Sequence, residues 1–373
     1  MRRIRSAVAF LFVLALPLVA QATSTIPAKL SDSEFWKLIT DVSESNGFFR
    51  SDNFVSNETT FQWVIPELLR TTRPGGVYLG VGPDQNFPYI TALKPKIAII
   101  FDIRRQNMLT HLMYKAVIEQ SSDRADFVAR LFARPRPTGI DTAMRVDSLL
   151  MAFQGLPPDS AIYKKELASI FERLMKTHGF GLSPEDTAAI AYVYQSFVAF
   201  GPDIAYDSRQ RVGFGRGRMP SYAQLQIEAD SAGVRRGYLS TEANFRALKA
   251  YEVNNLIVPV VGDFAGQKAI RAVSDYLKKN QATVTAFYLS NVEQYLFMQS
   301  DDWRKFFTNV GTLPLDSTST FIRSSFNGLG PRTTQTMPSY MRSQQLLASM
   351  LTQLKLFTDG KITYYGDVLN SSR

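Results

Sequence analysis

The chain has 373 residues, a formal charge of +9, two histidines and no cysteine. The lack of cysteine excludes disulfides, thiol nucleophiles and cysteine-held zinc, and His111 and His178 alone cannot build a multi-histidine metal centre. The positive charge is dispersed, without the long Lys/Arg run of a nucleic-acid tail, so no nucleic-acid partner is expected.

Met1, Arg2, Arg3, Ile4 and Arg5 precede an almost unbroken apolar run from Ala7 to Ala20, and Ala20-Gln21-Ala22 stands before Thr23. A charged start, an apolar stretch and a small-x-small site are the layout of a secretory signal peptide. The stretch is shorter than the ~20 residues that span a bilayer. The expectation is an exported protein, periplasmic or secreted, with residues 1–22 removed and no stable membrane span left. Loss of the three arginines lowers the mature charge from +9 to +6.

Residues 23–72 read as an N-terminal helical segment. Its first helix covers 31–46, capped by Ser31 or Ser33 with Phe35, Trp36, Leu38 and Ile39 on one face, and its second covers Thr60 to Leu69. Arg73-Pro74-Gly75-Gly76 breaks this pattern. The strand Val77-Tyr78-Leu79 then runs straight into Gly80-Val81-Gly82-Pro83-Asp84-Gln85-Asn86, which is the entry to a nucleotide-binding βαβ unit. The strand Lys96 to Asp102 is a continuous apolar run from Ile97 to Phe101, as a strand buried on both faces is, and it closes the first half of a core placed at 73–106.

Residues 107–250 show helical signals only: His111 to Glu119, Asp123 to Phe132, Asp159 to Lys176, and a helix opened by Ser183-Pro184 that runs to Phe200. They read as a large helical insertion docked over the carboxyl edge of the sheet, with an exposed loop from Gln210 to Arg218 near its end. The second half of the core, 251–373, follows the helix Thr241 to Glu252. Its strands are Leu256 to Val261, Thr283 to Leu289, Ser319 to Ser324 and Lys361 to Tyr365; its helices are Gln267 to Lys279, Trp303 to Asn309 and Ser339 to Phe357. Alternation of strand and helix predicts an α/β fold with a doubly wound, mostly parallel sheet.

In such sheets ligands bind beyond the carboxyl ends of the strands. Those ends carry Gly80, Gly82, Asp102, Asp263 and Asn291, and the helix after Asn86 offers unpaired N–H groups. Asp102 suits two ribose hydroxyls, a helix cap or a salt bridge to Arg104 or Arg105. Asp263 suits an exocyclic amine or a helix cap near Gln267. His111 reads as a packed, hydrogen-bonded histidine, and His178 as a helix-end residue. Gly262 to Lys268 imitates a phosphate loop, but the GxxxxGK[ST] spacing fails, and no GxSxG elbow exists. Glu185-Asp186 and Asp301-Asp302 read as solvated helix starts.

The runs Val77 to Asn86, Ile97 to Asp102, Val258 to Asp263 and Phe287 to Asn291 resemble, in order, the cofactor motifs of class I S-adenosylmethionine-dependent methyltransferases. More closely, the chain resembles a bacterial family of exported proteins of unassigned activity with this methyltransferase-like core. The resemblance implies S-adenosylmethionine as cofactor, a small nucleoside-like ligand. Gly80, Gly82 and Asn86 would stand at its methionine part, Asp102 at its ribose, Asp263 at its adenine and Asn291 beside the transfer site. It implies methyl transfer to an unknown substrate, or a non-catalytic binding protein that keeps the scaffold. Three departures stand out: Gln85 and Asn86 replace a third glycine, the insertion is long, and Ser290-Asn291-Val292-Glu293 lacks the Asp/Asn-Pro-Pro-aromatic of amino methyltransferases. A nicotinamide oxidoreductase fits less well, since G-x-G-x-x-G fails at Gln85.

Protein purified from the cell envelope of a producing bacterium should have an intact mass lacking the first 22 residues. A full-length mass would remove the export reading.

Overall fold

A computed structural model describes residues 24–207, 211–212, 218–326 and 343–373. The leader expected over 1–22 and most of the Gln210 to Arg218 loop lie outside them; Arg211–Val212 and Arg218–Met219 pair as a short ladder. No helix among the described residues is long and apolar enough to cross a membrane.

The chain opens with α1, Asp32–Val42, where Ser31 and Glu34 form a reciprocal cap. Helix α2, Ile65–Thr71, starts later than the predicted Thr60 because Pro66 fixes its first turn. The sheet begins with β1, Val77–Val81, followed by α3, Asn86–Leu93, and β2, Ile97–Asp102; both strands are wholly buried. Next come α4, Arg105–Gln120, α5, Arg124–Leu131, α6, Val146–Phe153, and α7, Ser160–Phe171. A π turn, Glu172–Thr177, extends α7, and α8, Pro184–Phe200, α9, Tyr222–Gln226, and α10, Glu242–Val253, complete the stretch. The described part of this stretch adds no strand to the main sheet.

The chain returns to the sheet with β3, Ile257–Val261, α11, Ala269–Lys279, and β4, Val284–Ser290. Short α12, Val292–Leu296, and α13, Asp302–Val310, lead to β5, Leu315–Phe326. Strand β6, Ser343–Ser349, α14, Met350–Thr358, and α15, Tyr365–Asn370, close the chain. The strand order is β3-β2-β1-β4-β5-β6, with the first five parallel and β6 antiparallel on the edge. The fold is α/β with a doubly wound, mostly parallel sheet, and its order reverses between β1 and β4.

Two predicted elements are corrected at the carboxyl end. The helix expected over Ser339 to Phe357 is instead β6 followed by α14, because residues 343–349 find ladder partners on β5 from Phe326 to Thr320. Pairing with a neighbour overrides the local preference of Gln344, Gln345 and the two leucines. The strand expected over Lys361 to Tyr365 is a turn entering α15: the Asp367 carboxylate accepts the N–H groups of Thr363 and Tyr364, which removes them from any ladder.

Below the sheet's other end, a buried ion cluster joins α1, α4 and the π turn. Glu119 accepts from Lys115, Arg173 and His178, and His178 also reaches Asp32. His178 therefore does more than end a helix. Lys115 and Glu119 are each 1% exposed in their side chains, and Lys115 donates to the Glu252 carbonyl. Burial opposes ionisation of Glu119, but the His178 hydrogen bond, the Lys115 charge and Arg173 outweigh it and bring its carboxyl down to about 2.

Glu119→Ala should cost about 3–5 kcal/mol, because it leaves Lys115 charged and buried without its carboxylate. The pair's contribution is complete above the ordinary carboxylate value of 4.5 and lost as pH falls towards 2. Urea midpoints of parent and variant should therefore converge in acid.

Candidate functional site

The turn after β1 is fixed from beneath. Gly82 has φ +78°, a left-handed value that favours glycine. Its carbonyl accepts from Asn86 Nδ2 at 3.1 Å, Asn107 Nδ2 at 3.2 Å and His111 Nε2 at 2.9 Å. Asn86 Nδ2 also donates to the carbonyls of Val81 and Pro83, and its Oδ1 accepts from Tyr78. Burial lowers His111 to about 4, so the ring is neutral and packed against Phe87 as expected.

This bonding corrects two assignments. Asn86 is fully buried and closes the turn, and Gly80 is small because a Cβ there would fall 2.0 Å from Asn86 Oδ1. Neither lines the cavity that opens above. That cavity, of about 340 Å³, lies at the switch point between β1 and β4 and brings together Gly82, Asp102, Asp263 and Asn291.

Asp102 is not a free carboxylate. Its Oδ1 accepts the backbone N–H and Nε of Arg104 at 2.9 and 3.1 Å, and Oδ2 pairs with Nη2 at 3.1 Å. The salt-bridge alternative is therefore realised, although Asp102 still lines the cavity. Asp263 Oδ1 accepts from Ala265 N–H at 2.9 Å and caps no helix. The cap of α11 comes from Glu44, whose carboxylate accepts the N–H groups of Asp263, Lys268 and Ala269 at 2.8, 2.8 and 2.9 Å. Thus the phosphate-loop imitation at Gly262 to Lys268 is filled by the chain's own acid.

Glu44 opens the part of the site that sequence reasoning missed. Residues 43–58 form a strap across the carboxyl ends of β3 and β2, held by Glu44 N–H on the Val261 carbonyl, Gly47 N–H on the Ile103 carbonyl and Arg105 N–H on Asn46. Arg104 clamps it further, donating from Nη1 to the carbonyls of Ser51 and Asp52. The strap contributes Phe48, Phe49, Asn53, Val55, Ser56 and Asn57 to the cavity. One signal was present in the sequence: residues 43–64 link two helices without any periodic pattern, and connections that long in a compact chain are usually functional.

Two acid pairs read as solvated are not both so. Asp186 is buried, accepts the N–H of Ser183, the residue that caps α8, and binds Arg105 at 2.6 Å. Asp302 lines the cavity and pairs with Lys305 at 2.8 Å.

Behind the cavity floor stands Glu58, 1% exposed. It accepts from Ser290, a lining residue, and from Tyr288, Ser324 and Gln345. Burial pushes its carboxyl up, against the pull of these hydrogen bonds. Ser290 itself has φ +50°, an uncommon value for a residue with a Cβ, at the carboxyl end of β4. Glu228, pushed well up by burial and then by the charge of Glu58, leaves Oε2 without a partner. On the other side of the β1 turn, buried Asp84 accepts from Gln226 at 2.9 Å and Tyr238 at 3.1 Å, which anchors the α9–α10 region to the turn.

A family model described as a domain of unknown function, DUF7790, matches residues 53–138 and 181–361. The chain belongs to this family. The DUF7790 match contains the four strand ends that meet at the cavity, together with Glu58 and Asp84, whereas α6 and α7 fall largely in the gap between its two parts. No curated protein matches the sequence.

Burial raises Asp84 from 3.8 to about 7, and among the described residues no cation pairs with it. A raised carboxyl lowers stability as pH climbs from the unfolded value through the folded one, here by up to about 4 kcal/mol at and above pH 7. Asp84→Asn, which removes the ionisation, should therefore melt higher than the parent at pH 8 and close to it at pH 4. A variant destabilised equally at both values would show that the carboxyl's hydrogen bonds outweigh its burial.

Proposed function

We propose that the cavity binds the nucleoside of a sulfonium cofactor, S-adenosylmethionine, and that the chain is a methyltransferase-like protein acting after export on a substrate outside the cytosol. The observation that carries this reading is the convergence of Gly82, Asp102, Asp263 and Asn291 from four separate strands on one cavity at the switch point. The reading assigns Gly82 to the methionine part, Asp102 to the ribose, Asp263 to the adenine amine and Asn291 to the transfer side. Asp102 keeps lone pairs beyond those Arg104 engages, since a carboxylate accepts about four hydrogen bonds.

The chemistry of the wall supports a cofactor without phosphate. No Lys, Arg or His is among the described residues that line the cavity, and a pyrophosphate calls for such groups or for free helix N–H donors. At α11 those donors are already taken by Glu44. A second reading, a non-catalytic binding protein on the same scaffold, is favoured by the leader sequence ending at Ala22, since export separates the chain from the cytosolic source of the cofactor.

Calorimetric titration of the mature protein with S-adenosylmethionine, S-adenosylhomocysteine and NAD tests the proposal. The first two should bind and NAD should not. Asp263→Ala should weaken them by about 1.5–3 kcal/mol, or roughly ten- to a hundred-fold, through loss of a charged acceptor. Silence from both sulfur compounds would overturn it.

A further inference from the structure

The cavity wall has a one-sided chemistry. Its carboxylates are Asp102, Asp263 and Asp302, and its rings are Phe48, Phe49, Tyr206, Phe264 and Tyr295. Asp102 is neutralised by Arg104 and Asp302 by Lys305, so Asp263 is the acid that lacks an ion pair among the described residues. Burial, and then the like charges of Glu44 and Asp302, raise its carboxyl against the weaker pull of the Ala265 N–H and of Lys305, which is ion-paired to Asp302.

Two further features point to a ligand rather than to a structural acid. Gln85 is 5% exposed, lines the cavity, and leaves its Oε1 without a hydrogen-bond partner; Asn53 Oδ1 in the strap is left likewise. Buried acceptors without donors are costly, and a ligand carrying N–H or O–H groups would satisfy them. The rings are also suited to positive charge. Phe49 meets Tyr295 edge to face, centroids 5.4 Å apart, and already holds the Arg104 guanidinium 5.8 Å from its centroid. Phe48 is 85% exposed and lines the cavity, which leaves its ring face open to a ligand.

We propose that this cavity receives a small organic ammonium ion, with its charge on Asp263, its alkyl groups against Phe49, Tyr206 and Tyr295, and its hydroxyl or N–H donors on Gln85 Oε1 and Asn53 Oδ1. Aromatic walls with a nearby carboxylate are the general means by which proteins hold quaternary ammonium groups, since the ring faces are negative and the cation is weakly hydrated. The inference goes beyond the sulfonium reading and does not rest on it: it gives Asp263 a cation instead of the adenine amine, so the two ligands would compete for one cavity.

The test is calorimetric titration of the mature protein with choline and with 3,3-dimethyl-1-butanol, which has choline's shape with carbon in place of the charged nitrogen. Choline should bind at least about tenfold more tightly, and Asp263→Asn should remove most of that preference. Tyr295→Ala, which removes one ring of the wall, should weaken choline, whereas Tyr295→Phe, which keeps the ring, should leave its affinity near that of the parent. Equal affinity for the two compounds, or no choline binding at millimolar concentration, would overturn the proposal. S-adenosylhomocysteine run in parallel separates the two readings: its binding with choline silent removes this proposal alone, and choline binding with the sulfur compounds silent removes the sulfonium reading alone.

Discussion

The guanidinium of Arg104 is the joint on which the site is assembled. It pairs with Asp102 at the end of β2 through Nε and Nη2, and its Nη1 holds the carbonyls of Ser51 and Asp52 in the strap. Planar, fork-shaped donors suit this task, because two bonds to a carboxylate fix orientation and leave the remaining N–H groups pointing elsewhere. The Arg104 side chain is 8% exposed, so its desolvation is balanced only while both sets of acceptors stay in place. The strap, the end of β2 and the rim of the cavity are therefore one mechanical unit.

Much of the fold was legible because parallel strands buried on both faces write their position as unbroken apolar runs. Ile97 to Asp102 and Ile257 to Val261 are such runs, and each ends on the acid or glycine that marks the carboxyl edge. The edge strand was not legible for the complementary reason. Ser343 to Ser349 has no β-branched residue, and its identity depends on β5 beside it. The site was half legible. Gly82, Asp102, Asp263 and Asn291 follow from strand order, whereas Phe48, Phe49 and Asn53 belong to a connection whose place over the sheet is decided by hydrogen bonds to residues far along the chain, such as Glu44 to Lys268. Asn86 was misread because its type and position suit a ligand, while its actual partners are the carbonyls of its own turn.

Around the cavity the chain buries several acids that have no ion pair among the described residues. Glu58 is held by hydroxyls and an amide, and Asp84 by a tyrosine and a glutamine. Hydrogen bonds from neutral donors compensate a carboxylate less fully than an ion pair does, but they add no positive charge beside the cavity. The contrast with the Lys115–Glu119–Arg173 cluster beneath the sheet is consistent with this: where no ligand is expected, acids and bases are packed together.

Glu44 gives the first turn of α11 a tethered anion. A carboxylate fixed by its own backbone, with Ser43 and Glu44 bonded to Val261, acts at a very high effective concentration, so a dissolved phosphate must displace a group that never diffuses away. The turn after β3 therefore keeps the shape of an anion seat while being closed to anions at cellular concentrations.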